Sequence, residues 1–211
     1  VAVYGDANQS GNLSYLTNFF PYAVAGLFIL PFQAPPRLFT THAIRNIPWI
    51  RTITWVEDIV CSNSMGKECV KYLKSIPSPH KKLGLIHTRV LPYPIFKLFQ
   101  NNLRCKLADI TEEYESLRLV KSKNEIRLVG RAADIAVGCF RGLEKFLKPR
   151  LSGFELASEI ELLVRRNGAQ DLFCYIQPDS SPSCLTMPSS RTINRWASIE
   201  ISVEYKGYWA K

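Results

Sequence analysis

Between residues 123 and 147 the apolar positions step by three and four: Ile126, Val129, Ala133, Ala136, Val137, Phe140, Leu143 and Leu147. Arg127, Arg131, Asp134, Arg141 and Glu144 fall between them, so the period predicts an amphipathic helix with one core face and one solvated face. Ser122 and Glu125 stand three apart just before this run, as an S-x-x-E capping box requires: the Ser hydroxyl accepts from the third helical N–H while the Glu carboxylate reaches back to the Ser122 N–H. The helix is therefore expected to start near Lys123 and to stop at Pro149, whose ring excludes a continuing helix. Ser152 and Glu155 repeat the device. A second helix is expected to follow, with Leu156, Ile160, Leu163 and Val164 inward, closing at Gly168 just past the last turn.

Upstream, short apolar runs alternate with amphipathic stretches. Tyr22 to Leu30 is too short to span a bilayer and is bounded by Pro21 and Pro31, so it reads as a buried strand. Leu27 to Phe32 and Arg37 to Thr41 flank the turn chemistry of Gln33-Ala34-Pro35-Pro36 and predict a hairpin. Met65 to Ile76 has helical spacing, Lys82 to Ile86 reads as a strand, Ile95 to Leu103 as a helix and Cys105 to Ile110 as a strand. That alternation predicts an α/β domain with a mixed sheet. The charged stretch Thr111 to Lys121 reads as a short helical connector. After Gly168, the runs Asp171 to Gln177, Ile199 to Val203 and Tyr205 to Trp209 predict antiparallel strands, separated by the Ser/Pro-rich stretch Pro178 to Ser190.

Composition narrows the class. With 211 residues, 46% of them hydrophobic, the chain has material for a packed core, in one large or two small domains. The net charge of +9 is spread, with 14 basic residues against 8 acidic up to residue 121 and 13 against 10 beyond it. Lys81-Lys82 and Arg165-Arg166 therefore read as solvated faces, and the pattern argues against nucleic acid. Six cysteines, Cys61, Cys69, Cys105, Cys139, Cys174 and Cys184, are dispersed through apolar segments with no CxxC pair. They read as free thiols of a reducing compartment, which points to the cytoplasm, rather than as a disulfide or zinc framework. No signal peptide is evident. The start at Val1 without Met implies residues missing or removed at the front.

The segment Leu117-Arg118-Leu119-Val120-Lys121-Ser122-Lys123-Asn124-Glu125-Ile126, then Leu151-Ser152-Gly153-Phe154-Glu155 and Arg165-Arg166-Asn167-Gly168-Ala169, resembles the opening helices of the creatinase, prolidase and Xaa-Pro aminopeptidase family. Val203-Glu204-Tyr205-Lys206-Gly207-Tyr208 is similar to the strand pair before that family's second metal-binding aspartate. Asn12-Leu13-Ser14-Tyr15-Leu16-Thr17-Asn18-Phe19 looks like the start of its smaller N-terminal domain. The resemblance implies an α/β fold: a creatinase-like N-terminal domain over 1–116 with a mixed sheet, then over 117–211 a partial α+β pita-bread domain. Family members run to roughly twice this length, since each half is of ordinary domain size, so the chain is expected to hold only the first part of the catalytic half.

The resemblance also implies a chemistry. The family's peptidases hold two divalent ions such as Mn or Co on two aspartates, a histidine and two glutamates, hard ligands that position a bridging hydroxide and polarise the scissile carbonyl. Aligned on Glu204 to Tyr208, the first aspartate position falls on Glu200 and the second on Lys211. Glutamate can ligate; a cationic lysine has no lone pair to offer. The histidine and both glutamates would fall beyond residue 211. A further substrate-side histidine is expected near Ser183-Cys184-Leu185-Thr186-Met187-Pro188, where there is none, which counts against creatinase chemistry as well. The three histidines, His42, His80 and His87, lie in the N-terminal half and read as packing or surface residues.

Other catalytic constellations are weaker. Ser180, Ser181, Ser183, Ser189 and Ser190 have no G-x-S-x-G elbow and no downstream histidine. Cys184 lacks a neighbouring histidine and reads as a small apolar residue. Asp134 and Glu144 fall on the polar face of their helix and form no carboxylate pair. No catalytic or metal-ligating residue is therefore assigned, and no cofactor is expected for the chain as it stands. The expectation is a non-catalytic relative that self-associates as a homo-oligomer or binds a peptide, and that engages no membrane. Two readings stay beside it: a portion of an active Xaa-Pro metallopeptidase, and a protein-interaction module like the histone-chaperone subunits that use a peptidase-like domain without metal.

Overall fold

A computed structural model describes residues 1–77, 82–148, 150–179 and 185–211. His80, Lys81, Pro149, Ser180, Ser181, Ser183 and Cys184 lie outside the described residues. The chain divides into two compact units, 1–120 and 121–211.

In the first unit, strands β1 (Ala2–Asp6), β2 (Ala25–Ile29), β3 (Arg37–Thr40), β4 (Asp58–Cys61), β5 (Lys82–Ile86) and β6 (Lys106–Asp109) form one sheet in the order β4-β3-β2-β1-β5-β6. Only β2 runs against its neighbours; the pairs β3–β4, β1–β5 and β5–β6 are parallel. Helices α1 (Gly11–Thr17), α2 (Ile47–Ile53), α3 (Met65–Ser75), α4 (Tyr93–Asn102) and α5 (Thr111–Leu119) complete the unit. The alternation of side chains along each strand feeds two cores. Tyr4, Leu27, Ile29, Phe39 and Leu85 join Met65, Cys69 and Phe99 of α3 and α4 on one face. Val3, Phe28, Leu38 and Ile86 join Leu13, Ile50 and Tyr114 of α1, α2 and α5 on the other. With the sheet covered on both sides, its central strands β1 and β2 are buried at nearly every position.

The predicted hairpin is β2–β3, with Leu27 opposite Phe39, and the β5 prediction coincides with the strand. Two expectations need adjusting. Tyr22 is 54% exposed and precedes the strand, which starts at Ala25. The expected connector, α5, is part of the first unit: Tyr114 is buried and its hydroxyl donates to the Asn12 carbonyl at 3.0 Å. The first unit extends to Val120.

In the second unit, α6 (Lys123–Leu143) and α7 (Gly153–Arg166) cover one face of an antiparallel sheet of β7 (Asp171–Pro178), β8 (Ala197–Tyr205) and β9 (Tyr208–Ala210). Both capping boxes form: Glu125 N–H and Glu155 N–H donate to the Ser122 and Ser152 hydroxyls, and each carboxylate accepts from its serine N–H at 2.7 and 2.8 Å. Leu156, Ile160 and Val164 are buried as predicted, Leu163 is half-buried, and Gly168 adopts φ +90°, a left-handed residue beyond the helix end.

The core face of α6 agrees with the prediction at Ala136 and Leu143 and otherwise differs from it. Ala132, Ile135, Ala136, Cys139 and Leu143 are buried, whereas Ile126, Val129, Val137, Phe140 and Leu147 are exposed. The helix carries two apolar stripes at the same period, so periodicity alone does not choose between them. The sheet takes the stripe whose alanines and cysteine permit close approach. α6 also ends at Leu143, six residues before Pro149.

Candidate functional site: the open face of the second sheet

The register of β7 and β8 sorts their side chains. Leu172 opposes Val203, Cys174 opposes Ile201 and Ile176 opposes Ile199, and these belong to the core under α6 and α7. The alternate pairs, Phe173 with Ser202, Tyr175 with Glu200 and Asp171 with Glu204, therefore fall on the opposite face. β9 joins through a two-residue turn in which Lys206 and Gly207 both have positive φ, 49° and 83°. This is the turn whose twist matches a hairpin. It sets Trp209 opposite Glu204.

Glu200 and Lys211, the positions that the sequence resemblance sets against the family's two aspartates, meet on this face. Lys211 Nζ lies 2.7 Å from Glu200 Oε1, with the glutamate side chain about three-quarters covered. An ammonium donates and does not ligate, so Lys211 neutralises the carboxylate at the other of the two positions. The donor set does not fit a dinuclear metal centre. Among the described residues, no group of three or more His, Cys, Asp or Glu side chains could hold a metal ion.

The rest of the face is aromatic and acidic. Phe173 and Trp209 stack with centroids 5.2 Å apart and planes at 19°. Burial, aided by the nearby Asp171 charge, pushes the Glu204 carboxyl above its usual range. At the rim, Asp179 accepts backbone N–H donors from Trp196, Asn194 and Arg195, which hold its pKa down at about 2. Sequence reasoning missed Asp179. Its partners lie 15 to 17 residues away, beyond any local motif.

The remaining candidates are not brought together. His42 is wedged between the Phe19 and Trp49 rings and takes a contact from Asn46 Nδ2 at 3.1 Å; burial lowers its pKa. His87 adopts φ 54° and lies 2.6 Å from Glu115 Oε1. Both belong to the first unit. Ser189 serves as a turn residue, its hydroxyl accepting from Arg191 N–H and its carbonyl from Phe154 N–H. Asp134 on α6 and Glu144 just past its end are each exposed.

Comparison with known proteins agrees with this architecture. The family model for the creatinase/prolidase N-terminal domain matches residues 8–120. The uncharacterized peptidase YqhT of Bacillus subtilis (strain 168) is 41% identical over 64 residues, 30% of this chain and 18% of that protein. The prolidase from Pyrococcus horikoshii OT3 superposes with a TM-score of 0.75 at 20% identity. The X-Pro aminopeptidase from Thermotoga maritima MSB8 gives 0.74 at 20%, and the Xaa-Pro dipeptidase from Bacillus anthracis 0.69 at 21%. In each case 99% of this chain is covered and 58% of the other. At these identities the likeness is one of fold.

Proposed function

Since the chain belongs to the family that carries the creatinase/prolidase N-terminal domain and folds as that domain followed by part of a pita-bread domain, we propose that it is a non-catalytic relative of the Xaa-Pro peptidases. Its role on this reading is self-association, or capture of a peptide partner, without metal. One observation carries the reading: at the two aspartate positions Lys211 and Glu200 make an ion pair with each other. A cation is already supplied there by the protein, and the pair offers no ligand set for another.

Self-association is supported by apolar side chains on the surface of the second unit. Ile126, Val137 and Phe140 of α6 are 60%, 49% and 45% exposed, and Phe173 and Trp209 add 52% and 41% on the sheet. Exposed apolar area of this kind favours a second copy of the chain as occupant. The described cysteines are all free thiols, which fits the cytoplasm, and no helix among the described residues is long and apolar enough to cross a membrane.

A second reading rests on length. The chain spans 58% of the solved prolidases it matches, so it is equally a portion of an active Xaa-Pro metallopeptidase whose other ligands lie elsewhere. Incubation with an Xaa-Pro dipeptide and Mn(II), followed by assay for free proline, tests the first reading. The proposal predicts no release above background; metal-dependent turnover by this chain would overturn it and establish the second reading.

A further inference from the structure

Asn167-Gly168 is the chain's only Asn-Gly pair, and it stands where α7 gives way to β7. Asparagine is among the thermolabile residues, and a following glycine, with no Cβ, leaves the asparagine side chain open to the next backbone nitrogen. The reaction needs only water. The Gly168 nitrogen attacks Asn167 Cγ and loses its proton to solvent, the bond from Cγ to Nδ2 breaks, and ammonia leaves as a five-membered succinimide closes. Water then opens the ring at either carbonyl, giving aspartate or, with one more methylene in the main chain, isoaspartate.

The fold opposes the first of these steps at each reacting group. Ring closure requires the Gly168 nitrogen beside Asn167 Cβ. Asn167 has φ −89° and ψ 5°, which holds that nitrogen roughly a third of a turn away, the separation of substituents on a tetrahedral carbon. The peptide plane that would have to rotate is held at both ends: Arg131 Nη2 of α6 donates to the Asn167 carbonyl at 3.2 Å, and the Gly168 N–H donates to the Arg165 carbonyl at 2.9 Å. The leaving group is held as well, Asn167 Nδ2 donating to the Leu163 carbonyl at 2.8 Å. Just beyond the pair, Ala169 is buried in the core under α6 and α7, and the Gln170 N–H donates to the Glu204 carbonyl at 2.9 Å. Rotation at Asn167 therefore requires the end of α7 to come away from the sheet, a local opening with its own free energy.

We propose that Asn167 is a deamidation site gated by the fold: the amide persists while the end of α7 is seated, and converts to aspartate and isoaspartate in chains whose α7–β7 junction has opened. The conversion runs one way. Isoaspartate lengthens the main chain within the turn, and either product puts a carboxylate at the negative end of the α7 dipole. A converted chain thus carries a record of having opened and rebuilds the junction less well. The site does not depend on the Glu200–Lys211 pair or on the function proposed from it.

Peptide mass mapping of the chain held for days at one mildly alkaline pH, in buffer and in guanidinium chloride with a thiol reductant, follows each asparagine separately. In denaturant Asn167 is expected to convert faster than the other asparagines. In buffer its conversion should be slower by about tenfold or more, the factor that a modest local opening free energy imposes. Arg131→Ala, at an exposed position where folding is expected to persist, releases the Asn167 carbonyl and should speed conversion in buffer several-fold while leaving the rate in denaturant unchanged. Converted chain, once refolded, should melt below refolded parent. Equal rates of Asn167 conversion in buffer and in denaturant would overturn the proposal. So would an Asn167 that stays an amide in denaturant, or a rate in buffer unmoved by Arg131→Ala in a variant that melts like the parent.

Discussion

The Tyr208 hydroxyl donates to Glu125 Oε1 at 2.9 Å, across 83 residues of chain. The other oxygen of the same carboxylate accepts the Ser122 N–H at 2.7 Å. Glu125 thus closes the capping box of α6 and also ties the start of β9 to the start of that helix. The equivalent glutamate of α7, Glu155, spends its contacts on Ser152 alone, taking both the N–H and the hydroxyl.

Ser122→Ala and Ser152→Ala should each lower stability by about 0.5–2 kcal/mol, the usual effect of removing an N-cap hydroxyl. Tyr208→Phe should cost about 0.5–1.5 kcal/mol, as one hydrogen bond does, and the loss should be smaller in a Ser122→Ala background because the three groups share one carboxylate. Urea melts of the single and double variants check this. Additive losses would separate β9 from the cap.

Acid should weaken the fold in a defined order. Glu125 is held below the usual range first by the Ser122 N–H and then by the Ser122 and Tyr208 hydroxyls, and Glu155 by the Ser152 hydroxyl and N–H. Asp109 is held down by the Thr111 and Thr88 hydroxyls. A depressed folded pKa contributes stability above the unfolded value, and that stability is lost as pH falls through the folded value. Melting temperature should therefore decline below about pH 4.5, and Asp179 should protonate only at about 2. Glu204 has the opposite sign: its raised pKa means that the fold disfavours the charged form. Glu204→Gln should raise the melting temperature at pH 7, and the gain should shrink as pH falls and the parent carboxyl protonates. A gain that persists unchanged at pH 3 would assign it to something other than charge.

Glycine substitutions test the packing of the second unit. A Cβ at Gly130 or Gly138 of α6 meets nothing within 4 Å, whereas one at Gly153 meets the Ser189 carbonyl oxygen at 2.8 Å and its nitrogen at 3.0 Å. Gly130→Ala and Gly138→Ala should each stabilise by about 0.5–1 kcal/mol through helix propensity. Gly153→Ala should destabilise, because backbone must move. Calorimetric melts at low protein concentration distinguish the two signs.

Self-association predicts a sedimentation coefficient that rises with concentration through the micromolar range. Phe140→Ser combined with Val137→Ser removes exposed apolar area without touching the buried stripe of α6. It should shift the chain toward monomer with little change in melting temperature. A monomeric parent that binds no hydrophobic dye would contradict the assembly role.

What was legible in the sequence was local. The two capping boxes are four-residue patterns and appear where predicted, as do β5 and the β2–β3 hairpin with its Pro-containing turn. Helices α1 and α2 were not predicted. Neither has a side-chain cap, since Ser10 and Asn46 make no cap hydrogen bond, and each spans only seven residues. β1 is five residues buried nearly throughout, without alternation to mark it. The α6 face was misread because two stripes satisfied one period. At the site, the eleven-residue spacing of Glu200 and Lys211 on a tight hairpin was readable; their mutual ion pair required the register of β8 and β9.

The account stands or falls on the open face of the second sheet, where Lys211 and Glu200 neutralise each other. Calorimetric titration of Mn(II) into the chain at neutral pH tests it most directly. The expected result is no heat beyond dilution in the micromolar range, for the parent and for Glu200→Gln alike. Binding of two ions per chain with sub-micromolar Kd, abolished by Glu200→Gln, would contradict it and restore a metallopeptidase site.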